Sequence, residues 1–254
     1  DEARAAAAIH HPYVCTIHSV EELDHLPVIV MRYVEGGSLA ERLRERPLPV
    51  AEARLLIRQI AEGLAAAHER GVVHGDLKPA NVLIDENDYP CIVDFGLSNG
   101  RAVVMAGRGD VGVEGVEVDE TMLTVTGTWN VPADAIVDAA EQTRNVGGTV
   151  SWRGSTRSLV GTPAYMSPEQ ASGESPGPLS DIFSLGLVFA EVLSGGRVLD
   201  ERSVIEILKA LRTEDLAQRV VTRLGDRFPK ACLTMLHRDP ADRPTARQVV
   251  AALG

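Results

Sequence analysis

One short stretch of the chain, HGDLKPANVLIDENDYPCIVDFG at residues 74–96, combines the side chains that phosphoryl transfer requires. The carboxylate of Asp76 can accept a proton from an attacking hydroxyl, and the nearby Lys78 carries a charge that can hold a phosphate oxygen. Asn81 and Asp94 offer the hard oxygen ligands that Mg2+ accepts. A base, a cation and metal ligands are the parts that this chemistry needs. The stretch therefore predicts a phosphoryl-transfer centre.

The elements predicted around these residues would bring the polar side chains together. Residues 81–85 and 91–93 are short apolar runs joined by the turn ENDYP, so strand, turn and strand place Asn81 beside Asp94. Upstream, residues 51–69 repeat apolar side chains at helical spacing and deliver the chain to the polar stretch.

The rest of the chain divides into a strand-rich start and a helical end. Residues 14–18 and 28–33 have the pattern of short strands. Beyond Gly161 the pattern is mostly helical, including residues 180–194 and 229–236.

Four motifs resemble those of eukaryotic-type (Hanks-type) serine/threonine protein kinases. They are HGDLKPAN, DFG, GTPAYMSPEQ, and Ser180-Asp181 with a later Arg in DPADRPTA. The resemblance covers roughly residues 1–99 and 155–254. It implies an α+β, protein-kinase-like fold with a truncated small β lobe and a predominantly helical large lobe. The implied activity is ATP-dependent phosphorylation of serine or threonine in protein substrates, with Mg2+.

The resemblance implies a role for each residue of the polar stretch. Asp76 would be the catalytic base, and Lys78 would contact the γ-phosphate of ATP. Asn81 and Asp94 would be the Mg2+ ligands. His74 would pack behind the Phe of the DFG motif instead of acting as a base.

Five further residues are implied to serve nucleotide binding. Met31 falls at the gatekeeper position, and Tyr33 and Val34 lie in the hinge that meets adenine. Leu83 would form the floor below the base. Glu2 corresponds to the glutamate of helix C in the family.

Two structural contacts are implied away from the nucleotide. Asp181 would hold the backbone of the catalytic loop in place. Arg243 would form a buried ion pair with Glu169 of the SPE sequence.

The implied domain is partial and interrupted. Residues 1–35 would be the remainder of the small lobe, from helix C to the hinge, and residues 36–99 and 155–254 the large lobe. Residues 100–154 would be an insert in the activation segment, without sustained periodicity and expected to be poorly ordered. The insert is either a regulatory or docking module or the product of a retained intron or mispredicted exon. A threefold longer loop costs only about 1 kcal/mol, so the fold can absorb it.

The glycine-rich loop and the strand-3 lysine of the family would lie upstream of Asp1, so we interpret the chain as N-terminally truncated. Both parts position the phosphates of ATP, and positioning supplies most of this catalysis. We therefore expect residues 1–254 alone to be inactive or nearly so, and the intact gene product to be active.

The composition argues against nucleic acid as a partner and favours a cytoplasmic location. A formal net charge of -11 argues against nucleic acid, which needs a basic footprint. The apolar run at residues 182–193 is too short to span a bilayer, so no membrane segment is predicted. The three cysteines are far apart and outside metal-ligand spacings, as in reduced cytoplasmic proteins. The sequence sets neither the oligomeric state nor the protein substrate.

Two other functions stay open. A pseudokinase, a non-catalytic ATP-binding or scaffolding module, is favoured if the upstream lysine is absent from the full gene. The HGDLxxxN pattern also resembles small-molecule phosphotransferases of the aminoglycoside and choline kinase kind. Those enzymes lack the GTPAYMSPE segment and usually carry His where Lys78 stands.

The kinase family places an Arg before the catalytic Asp, where it receives a phosphate on the activation segment, and this chain has Gly75 there. We predict that phosphorylation of Thr156 or Ser158 does not switch activity through that contact. Phosphate transfer should be compared before and after phosphorylation in the unchanged protein and in Thr156→Ala and Ser158→Ala. A large activation that disappears with either hydroxyl would contradict this prediction.

Overall fold

The computed structural model of the protein describes residues 7–23, 26–95, 102–106, 163–201 and 203–254. Glu2, Thr156 and Ser158, which the sequence analysis singled out, lie outside the described residues. Of the predicted insert at 100–154, only residues 102–106 are described.

Three strands, Ile17–Leu23, Leu26–Arg32 and Ala102–Ala106, form a sheet in that order. Strands β1 (Ile17–Leu23) and β2 (Leu26–Arg32) are antiparallel, and β5 (Ala102–Ala106) pairs with β2 in parallel. The prediction of a first strand at residues 14–18 was wrong at its start, because Val14 forms an isolated bridge with the other sheet. The sequence analysis assigned no strand to β5, whose partner is distant in sequence.

Two short strands lie between the predicted metal ligands Asn81 and Asp94. Strands β3 (Val82–Ile84) and β4 (Pro90–Ile92) form an antiparallel hairpin, as the sequence predicted. In its turn, the carboxylate of Asp85 accepts hydrogen bonds from the backbone N–H groups of Asn87 and Tyr89, both at 2.9 Å. This side chain therefore takes the place of a backbone acceptor and closes the turn.

Helices make up most of the remainder. Their bounds are α1 Leu39–Glu45, α2 Val50–His68, α3 Pro168–Ala171, α4 Pro178–Ser194, α5 Val204–Thr213, α6 Leu216–Leu224 and α7 Ala246–Leu253. Five of them begin after a side chain that accepts a hydrogen bond from the first helical turn, and these N-caps are Ser38, Ser167, Ser203, Asp215 and Thr245. Within residues 229–236, which were predicted to be helical, the segment Lys230–Leu236 forms a 3-10 helix, tighter than an α-helix.

Helix α4 is the centre of the core. Buried apolar residues occupy nearly every position from Ile182 to Leu193, as expected for a helix enclosed on all sides. Gly186 has no side chain because an added Cβ would lie 2.9 Å from the side chain of Leu236. Among the described residues, no helix has both the length and the apolar character needed to cross a bilayer.

The predicted ion pair between Arg243 and Glu169 is confirmed. Both guanidinium Nη atoms donate to the carboxylate at 2.8 Å, and the Arg243 side chain is fully enclosed. Its remaining N–H groups donate to the backbone carbonyls of Leu179, His237 and Arg238. All five guanidinium donors are thus used, which is the condition for burying this charge favourably.

The same contacts lower the pKa of the Glu169 carboxyl group. Burial acts to raise its pKa, but the hydrogen bonds from Arg243 and from the Ser180 hydroxyl outweigh burial and hold the pKa below its usual range. The ion pair therefore stays charged at neutral pH.

We predict that Arg243→Leu lowers the free energy of unfolding by about 3 to 5 kcal/mol, because it leaves a buried carboxylate without its partner. Urea denaturation followed by circular dichroism measures the loss. Since the folded-state pKa of Glu169 is lowered, its contribution is present at neutral pH and is lost as the pH falls through that pKa. The difference between the two proteins should therefore shrink below about pH 4.

Arg247→Leu is the matched control for this prediction. Arg247 pairs with Glu69 at the surface, so its removal should cost about 1 kcal/mol or less. Equal losses in the two variants would contradict the energetic importance of the buried pair.

Candidate active site

A buried carboxylate holds the start of the polar loop. Asp181, in the first turn of α4, accepts hydrogen bonds from the backbone N–H of His74 at 2.9 Å and of Gly75 at 2.8 Å. The ring of His68, the last residue of α2, contacts the same carboxylate at 2.8 Å. The predicted anchoring of the loop backbone by Asp181 is therefore confirmed.

The ring of His74 connects the loop to the DFG segment. Its Nε2 lies 2.9 Å from the carbonyl oxygen of Val93, which can only accept, so Nε2 carries the proton. Nδ1 then accepts a hydrogen bond from the backbone N–H of Asp76 at 3.2 Å. The ring also packs on Phe95, with centroids 4.9 Å apart. With both nitrogens engaged, His74 has the packing role that the resemblance implied.

The backbone of Gly75 has a conformation that favours glycine. Its φ of 76° is left-handed, a conformation that side chains disfavour, and an added Cβ would lie 3.2 Å from Pro176. The carbonyl of Gly75 accepts a hydrogen bond from the side chain of Gln170 at 2.8 Å. This contact joins the polar loop to helix α3.

The side chains of Asp76, Lys78 and Asn81 form one cluster. The ammonium of Lys78 donates to the Asp76 carboxylate at 2.6 Å, with both groups partly buried. The amide nitrogen of Asn81 donates to the backbone carbonyl of Asp76 at 2.9 Å and lies 3.5 Å from its carboxylate. The amide nitrogen faces Asp76, so the oxygen of the same amide points elsewhere.

The hairpin brings Asn81 next to the DFG carboxylate. The backbone N–H of Val93 donates to the carbonyl of Asn81 at 3.0 Å, and Asp94 is the following residue. Asp94 has a left-handed φ of 64°, an unusual conformation for a residue with a side chain. Burial raises the pKa of Asp94, against the opposing effects of His74 and Lys78.

The donor types around Asn81 and Asp94 fit Mg2+. An amide oxygen and a carboxylate are hard ligands, and Mg2+ in nucleotide sites takes few protein ligands because phosphates and water complete its shell. In the described part of the chain, no cluster of three or more His, Cys, Asp or Glu side chains could hold a metal by itself.

A second group of buried side chains lies next to this cluster. Met31, Val34 and Val93 pack together with two cysteines, and Leu83 packs against them partly buried. The structure therefore brings together the predicted nucleotide contacts Met31, Val34 and Leu83. Tyr33 is 39% exposed and lies outside the group.

Three members of this group, namely Cys15, Cys91 and Val93, were not predicted from the sequence. The alternation of a strand could have identified Cys91 and Val93, because both flank Ile92 and therefore point to the same face. Nothing local to Cys15 indicates its position, because that depends on pairing between distant segments.

The segment after Val34 passes very close to β3. An added Cβ at Gly36 would lie 2.0 Å from the carbonyl oxygen of Ile84, and its φ is 141°. The N–H of Ile84 donates to the carbonyl of Gly37 at 2.9 Å. Only glycine fits at position 36, and this close approach fixes the predicted hinge against the hairpin.

Comparison with known proteins identifies the class. Residues 1–104 and 141–252 match the family described as the protein kinase domain. The match covers most of the chain, so this chain belongs to the protein kinase domain family.

Several curated relatives are bacterial serine/threonine-protein kinases. PknL of Mycobacterium tuberculosis is 29% identical over 245 residues, which cover 95% of this chain and 50% of PknL. The protein drp72 of Corynebacterium efficiens is 31% identical over 249 residues, covering 96% of this chain and 39% of drp72. PrkC of Bacillus subtilis is 31% identical over 215 residues, covering 84% of this chain and 26% of PrkC. The chain thus spans half or less of the length of these relatives.

We predict that Asp94→Asn raises the free energy of unfolding at pH 7 when Mg2+ is absent. The folded-state pKa of Asp94 is raised, so the unfolded protein ionises more readily and the carboxylate destabilises the fold above the normal carboxyl pKa. The gain should vanish near pH 3, where both states are protonated.

Urea denaturation at the two pH values measures this effect. Asp88→Asn is the control, since Asp88 has a left-handed φ of 65° but is exposed and paired with Arg42. A stabilisation of Asp94→Asn that persists at low pH, or that Asp88→Asn reproduces, would contradict the explanation.

Proposed function

We propose that this chain is the catalytic part of a serine/threonine protein kinase, which transfers the γ-phosphate of ATP to a hydroxyl of a protein substrate. The observation that carries the proposal is the convergence of Asp76, Lys78 and Asn81 beside the segment that ends at Asp94. The names of the relatives support serine and threonine as acceptors.

In this proposal, Asp76 receives the proton of the acceptor hydroxyl. Its carboxylate is oriented by Lys78 and by the amide of Asn81, and its backbone N–H is fixed on His74. The hydroxyl oxygen bonds to the γ-phosphorus as the bond from that phosphorus to the bridging oxygen of ADP breaks. Little covalent chemistry is asked of the protein, so the rigidity of these contacts is its main contribution.

Lys78 has a second task in the proposed reaction. Its ammonium lies on the Asp76 carboxylate and offers two further donors, which can hold a transferring phosphoryl oxygen. Such a cation beside the base offsets charge that develops on the phosphate oxygens.

Asn81 and Asp94 are the residues that would hold Mg2+. When bound, this ion would neutralise phosphate charge and orient the terminal phosphates of ATP. The buried position of Asp94 suits that task, because burial removes water from the carboxylate and so strengthens its attraction to a cation.

The apolar group around Met31 is the proposed adenine site. Met31 and Val34 are 1% and 5% exposed, and Leu83 is partly buried below them. Tyr33 would contribute its backbone, since its side chain faces outward. Glu2, outside the described residues, is proposed as the helix C glutamate.

We also propose the division of the chain that the motifs suggested, with residues 1–35 in the small lobe and 36–99 and 155–254 in the large lobe. The family match leaves out residues 105–140, which supports an insert within 100–154. The three cysteines are free thiols, which supports a reducing compartment such as the cytoplasm.

A pseudokinase is the second candidate. The proposed lysine and glycine-rich loop would lie upstream of Asp1, and a gene without them would favour a binding role. Against a small-molecule phosphotransferase stand Lys78 and the ion pair of Glu169 with Arg243, both of which belong to the protein kinase pattern.

We predict that Asp76→Asn in the intact protein lowers the rate of phosphate transfer about 100- to 10,000-fold, because an amide cannot accept the hydroxyl proton. The KM for ATP should change little, since Asp76 does not belong to the adenine site. Transfer of radiolabelled γ-phosphate to a protein substrate measures both quantities.

Asp88→Asn is the matched control, a carboxylate lost from the hairpin turn at the surface, and it should keep full activity. If the unchanged intact protein binds an ATP analogue but transfers no phosphate, the pseudokinase reading replaces this proposal.

A further inference from the structure

Two cysteines, Cys15 and Cys91, belong to the buried group of side chains that forms the proposed adenine site. Val14 pairs with Ile92 in a parallel bridge, and the N–H of Cys15 donates to the carbonyl of Ile92 at 2.9 Å. Cys15 follows Val14 and Cys91 precedes Ile92, so both side chains project from the same face of this pairing. Both residues are buried, and both sulfurs contact atoms of Arg32.

The two thiols have different surroundings. The guanidinium of Arg32 donates to the sulfur of Cys91 at 3.2 Å. The thiol of Cys15 instead lies at donor distance from two acceptors, the carbonyl of Arg32 at 3.4 Å and the sulfur of Met31 at 3.8 Å. A cation thus faces one sulfur while acceptors face the other.

These surroundings separate the acidities of the pair. The hydrogen bond from Cys15 and the charge of Arg32 lower the pKa of Cys91 to about 7, against burial and the charge of Asp85. The contact with Cys91, burial and the charge of Asp94 raise the pKa of Cys15, with Arg32 opposing. Cys91 is therefore the sulfur of the pair that ionises more readily, the arrangement that favours oxidation of one sulfur and its resolution by the other.

We propose that Cys15 and Cys91 are an oxidation site, which hydroperoxides convert into an intramolecular disulfide. The oxidant must be small, since both sulfurs are buried. A pair of this kind differs from Cys232, which is buried without a neighbouring thiol and whose pKa burial raises to about 11.

The chemistry balances with hydrogen peroxide as the oxidant. The Cys91 thiolate attacks one peroxide oxygen, the O–O bond breaks, and the products are a sulfenic acid and hydroxide, which takes up the proton that Cys91 released. The Cys15 sulfur then attacks the Cys91 sulfur, the S–O bond breaks, and the leaving hydroxide combines with the Cys15 proton. The two sulfurs lose two electrons in total, and the peroxide becomes two molecules of water.

Mass spectrometry of the native protein treated with hydrogen peroxide tests the proposal. The intact mass should fall by two hydrogens, a peptide pair joined through Cys15 and Cys91 should form, and a thiol reductant should reverse both changes. Cys15→Ala should instead accumulate a sulfenic acid on Cys91 that dimedone traps. Cys232→Ala is the control and should form the joined peptides as the unchanged protein does.

The rate of oxidation tests the role of Arg32. Arg32→Met should slow formation of the disulfide at pH 7 by roughly three- to tenfold, because the thiolate fraction of Cys91 falls as its pKa returns towards the ordinary value. Arg42→Met removes an exposed arginine that pairs with Asp88, and it should leave the rate unchanged.

The proposal is overturned if the folded, unchanged protein forms no Cys15–Cys91 peptide pair with peroxide, and this result does not depend on how any variant folds. It is equally overturned if Cys232 is oxidised while Cys91 stays reduced.

One consequence rests on the proposed function. Because the disulfide would lie beside Met31 and Val34, the oxidised protein should bind an ATP analogue less tightly than the reduced protein. Equal affinities in the two states would overturn this consequence. Failure of the reduced protein to bind the analogue would count against the proposed function and leave the disulfide untouched.

Discussion

The candidate active site depends on the hydrogen bonds that the buried carboxylate of Asp181 accepts. It lies in the first turn of α4, where unpaired backbone N–H groups favour negative charge, and it accepts hydrogen bonds from the backbone of His74 and Gly75. A buried carboxylate is very unfavourable unless its oxygens are bonded, so the loop must present these N–H groups to the helix. Helix α4 is itself enclosed by the core, so the loop bonded to Asp181 is held in place by one of the most buried of the described elements.

Beyond Asp181, a chain of hydrogen bonds continues from His74 through the loop to the hairpin. His74 joins the carbonyl of Val93 to the N–H of Asp76, and Asn81 bonds the carbonyl of Asp76 while its own carbonyl pairs with Val93. The loop and the hairpin are thereby tied at two points. A polar network of this kind specifies one arrangement because each unmade bond would leave a buried group unpaired.

The sequence was informative where the cause is local. The hairpin and the polar residues at strand ends follow from neighbouring residues, and the resemblance to protein kinases supplied the pairing of Arg243 with Glu169. Strand β5 and the approach of Cys15 to Cys91 depend on pairing across distant segments, which no local pattern encodes. The 3-10 geometry of Lys230–Leu236 was missed because its apolar spacing does not separate it from an α-helix.

The attachment of the polar loop at His74 and Gly75 through main-chain atoms has a consequence for local motion. The N–H groups of His74 and Gly75 are bonded to a carboxylate that is 1% exposed, so these hydrogens reach solvent only when the loop parts from α4. Amides of that kind exchange on the timescale of opening the core, whereas the hydrogens bonded to Asp85 in the exposed hairpin turn exchange through small local fluctuations. We therefore expect the amide hydrogens of His74 and Gly75 to exchange more slowly than those of Asn87 and Tyr89.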